Sequence, residues 1–158
     1  MCEFIKDLQS FFQVRLKKSK MVFWACSHCP TENRREDYVK ALEKFVSVDI
    51  YGKCGNLSLC NGQWQLRDQC ILNISSQYYF YLAFENSNCP NYISEKYWRT
   101  VRLLPVVPVV MGGADYGKLA PPHSYIDVND FSTVEDLAKH LNYLRDNKVC
   151  NNQIHTRI

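Results

Sequence analysis

Leu103-Leu104-Pro105-Val106-Val107-Pro108-Val109-Val110-Met111 is the longest apolar run in the chain, and Gly112-Gly113 ends it. Its length is about half of the roughly 20 residues needed to span a bilayer, so it predicts no transmembrane helix. Val106 to Val110 instead reads as a strand, and its near-continuous apolar character suits a parallel strand covered on both faces. Pro108 inside it predicts an end, a bulge or an edge, because proline donates nothing to a sheet ladder. Parallel strands need crossovers, so helical periodicity is expected on either side.

That periodicity is present. Upstream, Ile93, Tyr97, Val101 and Leu104 recur at helical spacing, and Tyr78 to Phe84 reads as an aromatic-rich strand. A weaker helical segment ends near Ser76, after a Gly- and Cys-containing loop from Gly52 to Gly62. Val46 to Tyr51 and Met21 to Cys26 read as strands. Between them Tyr38, Ala41, Leu42 and Phe45 line one helical face, with Asn33 and Glu36 as a capping pair. Downstream, Tyr125 to Val128 is a short last strand, and Ser132 with Glu135 forms a capping box before Val134, Leu137, Leu141 and Leu144. Phe4, Leu8, Phe11 and Phe12 are also helically spaced. The alternation predicts an α/β fold, a Rossmann-like, doubly wound parallel sheet with right-handed crossovers and ligands at the carboxyl ends of the strands. The division is 1–20 as an N-terminal helical segment or linker, 21–148 as the domain and 149–158 as a tail.

With 158 residues, 46% hydrophobic and 22% charged, the chain has the length and composition of one globular domain. A net charge of +3, spread among 16 acids, argues against nucleic acid as a partner. Met1 to Asp7 carries charges and no small-residue cleavage site, so it does not read as a signal peptide, and the chain is either cytosolic or lacks its targeting segment. Eight cysteines favour an oxidising compartment, as do the glycosylation sequons at Asn56 and Asn73. Disulfides are expected among Cys54, Cys60, Cys70 and Cys89 with connectivity open, leaving Cys2 and Cys150 spare.

Three chemistries compete for the polar residues. Cys26-Ser27-His28-Cys29 lies between a strand and a helix, where a thioredoxin-like dithiol would sit, but such a fold needs a cis-proline beside it, and two ordinary cysteines are the better reading. A zinc site drawn from Cys26, His28, Cys29, Cys54, Cys60 and Cys70 lacks a second short-spaced ligand pair, and no Asp-x-Asp follows a strand. The cations say more. Arg34 and Arg35 fall in the first turn of one helix and Lys96 near the start of another, where positive charge is unfavourable unless an anion shares the site. Two such helix ends at the carboxyl edge of a parallel sheet predict a pyrophosphate cradle. Glu85, Glu95 and Asp115 are the carboxylates near that edge; Glu95 and Asn86 suit ribose or sugar hydroxyls. Neither Gly-x-Gly-x-x-Gly nor a Gly-Lys-Ser loop is present.

Phe84-Glu85-Asn86-Ser87, Cys89 and Tyr92-Ile93-Ser94-Glu95-Lys96-Tyr97-Trp98 together resemble the signature of the α1,3-fucosyltransferase family, glycosyltransferase family 10. Blocks around Arg34-Arg35-Glu36-Asp37-Tyr38, Val48-Asp49-Ile50-Tyr51-Gly52, Val107-Pro108-Val109-Val110-Met111-Gly112 and Pro121-Pro122-His123-Ser124-Tyr125 resemble it in order, from Val22 to Asn147. Ser94 in place of Thr and Tyr79 in place of Lys are departures from the pattern. The resemblance implies the GDP-fucose-binding, C-terminal half of a GT-B enzyme that transfers fucose to a glycan hydroxyl with inversion. By position, Arg35 and Lys96 would hold the pyrophosphate, Glu95 and Tyr92 would contact ribose or neighbouring groups, and Asn86 would face the donor. No cofactor is required; the resemblance allows Mn2+ but does not call for it. The acceptor-binding half and its carboxylate base are expected outside this chain, so no catalytic residue is assigned here and the isolated chain should transfer poorly. A Golgi lumenal location, with a membrane anchor outside this chain, follows from the resemblance alone, as does a glycan acceptor on glycoprotein or glycolipid. A non-catalytic GDP-sugar-binding module or a degenerate gene product is the alternative.

Overall fold

The computed structural model describes residues 18–60 and 67–147. Five strands form one sheet in the order β2-β1-β3-β4-β5: β1 Lys20–Ala25, β2 Val48–Tyr51, β3 Tyr78–Phe84, β4 Val107–Met111 and β5 Ile126–Asp127. Every neighbouring pair is parallel. Helices α1 Arg35–Leu42, α2 Arg67–Ser75, α3 Glu95–Leu103, α4 Tyr116–Leu119 and α5 Val134–Asp146 fill the connections, and a 3₁₀ turn, Val128–Asp130, follows β5.

Continuous apolar strands result because the sheet is buried on both sides. On β3, Phe80, Leu82 and Phe84 join the core under α1 and α5, built from Val39, Leu42, Leu137 and Leu141. Tyr81 and Ala83 point the other way, into a core with Ile71 of α2, Tyr97 of α3 and Tyr116 of α4. Pro108 is paired with Tyr81 of β3, whereas the β5 ladder covers only Val109 and Val110, so the proline lies where β4 still has an open edge.

The first strand ends at Ala25, one residue earlier than expected, which leaves Cys26 in the loop. Asn33 does not cap α1. Arg34 occupies the N-cap position in left-handed backbone, φ 53°, without a side-chain cap, and Asn33 instead donates Nδ2–H to the Glu85 carbonyl at 2.9 Å. At α5 the cap falls one residue later than Ser132: Thr133 accepts from Asp136 N–H and its hydroxyl bonds the Asp136 carboxylate. Phe45, expected on the buried face of α1, lies beyond its end and is 47% exposed. The helical reading of Phe4 to Phe12 and the spare Cys2 and Cys150 fall outside the described residues.

Among the described residues there are two disulfides, Cys29–Cys54 and Cys60–Cys70. The expected set is therefore corrected: Cys54 reaches Cys29 on the β1–α1 loop, while Cys89 is free and exposed. This pairing also removes the Cys26–Cys29 dithiol of the redox reading. Cys26 is a buried free thiol that donates to the His28 carbonyl. Asn56 and Asn73 are both exposed, one in the β2–α2 connection and one on α2.

Candidate donor-binding cleft

In this strand order the chain turns outward in both directions from β1 and β3, and the carboxyl ends of such a pair are where an open α/β sheet leaves a crevice. A cleft of about 230 Å³ opens there. Phe23, Ile71, Tyr81 and Leu104 supply its apolar floor, and Arg35, Lys96 and Arg99 bring positive charge to its wall. His28, Asn86, Glu95 and Thr100 add polar groups.

Arg35 is delivered by the left-handed turn at Arg34, which drives the next side chain inward. Arg34 itself remains exposed and pairs with Asp37 at 2.6 Å. Arg35 is 2% exposed, with its guanidinium carbon 5.4 Å from the Trp24 ring centroid. Its Nη1 donates to the Phe84 carbonyl at 2.6 Å, and its Nη2 to the His28 carbonyl at 3.0 Å and to Cys26 Sγ at 3.1 Å. All three acceptors are uncharged. Nε lacks a hydrogen-bond partner among the described residues, and the Glu36 carboxylate is 4.0 Å away, beyond hydrogen-bond reach. A guanidinium whose hydrogen bonds all go to neutral acceptors, with the Glu36 carboxylate at 4.0 Å, keeps one N–H free of a hydrogen-bond partner, which suits an anion entering the cleft.

The loop that presents His28 is held by the Cys29–Cys54 bridge and by Cys54 N–H on the Cys26 carbonyl at 3.2 Å. That approach requires a glycine. Gly52 has φ +94°, and a Cβ there would lie 2.5 Å from the Cys26 carbonyl oxygen.

Lys96 enters from the first turn of α3. Ser94 caps the helix, its hydroxyl accepting from Lys96 N–H at 3.3 Å. The Lys96 ammonium donates to the same hydroxyl at 2.9 Å and to Glu85 Oε2 at 3.2 Å. Glu85, wholly buried at the end of β3, also accepts from Ser94 N–H at 2.7 Å and from the Ser94 hydroxyl at 2.8 Å. Glu95 is exposed. Burial pushes its carboxyl up, but its own backbone N–H and the Lys96 charge outweigh this and hold it below the usual carboxylate range. It is thus an ionised acceptor, suited to sugar hydroxyls.

Of the residues assigned from sequence, Arg35, Asn86, Glu95 and Lys96 converge on the cleft, whereas Tyr92 is 41% exposed and outside its lining. His28, Arg99 and Thr100 were not anticipated. Arg99 and Thr100 carried a readable signal, since three and four residues after Lys96 place them on its face of α3. His28 was legible only as part of the Cys26–Cys29 segment, because its place in the cleft depends on a loop and a disulfide. Among the described residues no group of three His, Cys, Asp or Glu side chains is placed to hold a metal ion, and no helix is long and apolar enough to cross a membrane.

Residues 15–155 match the family model for the C-terminal part of glycosyltransferase family 10 (fucosyltransferase). Alpha-(1,3)-fucosyltransferase C of Drosophila melanogaster is 45% identical over 124 residues, covering 78% of this chain and 28% of the relative. Alpha-(1,3)-fucosyltransferase fut-1 of Caenorhabditis elegans is 37% identical over 131 residues, covering 83% of this chain and 29% of the relative. The chain therefore spans under a third of the length of these two relatives. A crystal structure of an α1,3-fucosyltransferase with GDP-fucose superposes with a TM-score of 0.70 at 23% identity, over 90% of this chain and 39% of that one. The parallel sheet is thus that of a fucosyltransferase of known structure, and the chain belongs to glycosyltransferase family 10, matching it over the family's C-terminal part.

Proposed function

We propose that this chain is the GDP-fucose-binding part of an α1,3-fucosyltransferase acting on glycans in the Golgi lumen. One observation carries the donor assignment: Arg35, Lys96 and Arg99 line a single cleft at the carboxyl ends of β1 and β3, and the hydrogen bonds of buried Arg35 all go to neutral acceptors, with the Glu36 carboxylate at 4.0 Å. A diphosphate in this cleft would meet the three cations together. The crystal complex of a structurally similar α1,3-fucosyltransferase with GDP-fucose supports the choice of nucleotide sugar.

In the transfer, an acceptor hydroxyl attacks the anomeric carbon of fucose, and the bond from that carbon to the β-phosphate oxygen breaks with inversion. Negative charge grows on the departing β-phosphate. Arg35 and Lys96 are fixed before reaction, so they stabilise that charge without reorganising. Glu95 accepts from ribose hydroxyls, and Asn86, exposed at the mouth of the cleft, offers both donor and acceptor to the sugar. The proton of the attacking hydroxyl passes to a base in the acceptor-binding half of the enzyme. The secretory setting rests on the two disulfides and two exposed sequons.

Calorimetric titration of the folded chain with GDP-fucose tests this reading. Saturable binding competed by GDP is expected; a folded chain that binds neither would overturn it.

A further inference from the structure

We infer that Glu85 is a positioning residue for Lys96: its buried carboxylate fixes the ammonium at the cleft wall before any ligand arrives. The inference rests on reading the cleft as a diphosphate site and adds a residue that does not touch the ligand.

The observation is a buried charge that helix capping does not require. Glu85 is 0% exposed and sits where β3 ends. Its bonds to Ser94 N–H and hydroxyl, at 2.7 and 2.8 Å, help tie down the start of α3. A neutral side-chain oxygen would serve the same purpose, as Ser, Thr and Asn do at most helix starts. A buried carboxylate is instead costly unless a cation answers it. Lys96 Nζ, at 3.2 Å, is the one cation in ion-pair contact with it among the described residues.

The geometry then restricts Lys96. Its side chain ordinarily samples many rotamers. Here two of its three N–H donors are committed, one to Glu85 Oε2 and one to the Ser94 hydroxyl at 2.9 Å. The third points to the cleft that Lys96 lines, where the exposed Glu95 carboxylate stands 3.5 Å from the ammonium. A lysine tethered in this way orders little further when a phosphate binds, and that saving appears as affinity. The neighbouring backbone keeps room for the carboxylate: a Cβ on Gly112 would come within 3.3 Å of Glu85 Cγ.

Glu85→Gln isolates the tether. The amide oxygen can still accept from Ser94 N–H, but an NH2 group then faces Lys96 where an oxygen stood. The test is a double-mutant cycle on GDP affinity, measured by calorimetry at one ionic strength for the unmodified chain, Glu85→Gln, Lys96→Met and the double variant. Unfolding midpoints are recorded alongside. Positioning predicts that Glu85→Gln weakens GDP on the order of tenfold when Lys96 is present, the size of coupling seen within one hydrogen-bond network, and has little effect in the Lys96→Met background. Equal losses in both backgrounds would show a purely structural role and overturn the inference, as would no loss on Glu85→Gln alone. If Lys96→Met leaves GDP binding intact, the donor-site role of Lys96 fails first and this inference fails with it. Should Glu85→Gln not fold, Ser94→Ala removes the second tether and one hydrogen bond to Glu85 while leaving the carboxylate in place, and the same cycle with Lys96→Met carries the same expectations.

Discussion

Arg34 and Arg35 look equivalent in the sequence, two cations at one predicted helix start. The backbone separates them. With Arg34 at φ 53° the chain turns so that Arg34 faces solvent and Arg35 enters the core. Periodicity cannot reveal a left-handed residue at a non-glycine position, which is uncommon. Glu85 was legible only as a carboxylate near the sheet edge, because its meaning lies in atoms contributed by Ser94 and Lys96 across a turn. His140 offers a prediction at this scale. It is half-buried on α5 with its ring 5.2 Å from Phe131, and burial lowers its pKa from the ordinary value of 6.5. The neutral form is favoured on folding, so the stabilisation is complete above pH 6.5 and declines as pH falls through the lower folded value. Denaturant midpoints at pH 7.5 and 5.5 should therefore show a larger acid loss in the unmodified chain than in His140→Gln. An equal loss in both would contradict the assignment.

Elements were legible wherever their signal was a long apolar pattern, as in β3, whose expected limits Tyr78 to Phe84 match those observed. Their ends were less so. Ser132-Glu135 and Thr133-Asp136 are overlapping capping candidates, and composition does not choose between them. The choice is made by where Leu137 and Leu141, both 0% exposed, must point to reach the sheet. Thr133→Ala should accordingly cost about 1 kcal/mol of stability, as loss of a helix cap usually does, whereas Ser132→Ala should stay within about 0.5 kcal/mol. Chemical denaturation of the two variants measures the difference; the reverse ranking would restore the earlier cap. The disulfides were the least legible feature. Cys29 and Cys54 lie 25 residues apart in sequence, and only the neighbouring placement of β1 and β2 brings them together.

Across the whole molecule, the parallel sheet was readable because a strand buried on both faces needs no alternation, and Val106 to Val110 shows none. The order of strands was not readable residue by residue. It places the ends of β1 and β3 side by side, and so gathers Arg35 and Lys96, 61 positions apart, around one cleft. Cation positions at two helix starts predicted such a site; its apolar floor came from packing. The central claim is that a buried arginine at this cleft binds the diphosphate of a guanine nucleotide. GDP titration of the unmodified chain, Arg34→Ala and Arg35→Ala tests it most directly, with folding verified for each. Arg35→Ala should weaken GDP by about 2 kcal/mol, roughly thirtyfold, as expected for a lost charged hydrogen bond, while Arg34→Ala should leave the affinity unchanged. Equal affinities for all three folded chains, or a loss confined to Arg34→Ala, would contradict the account.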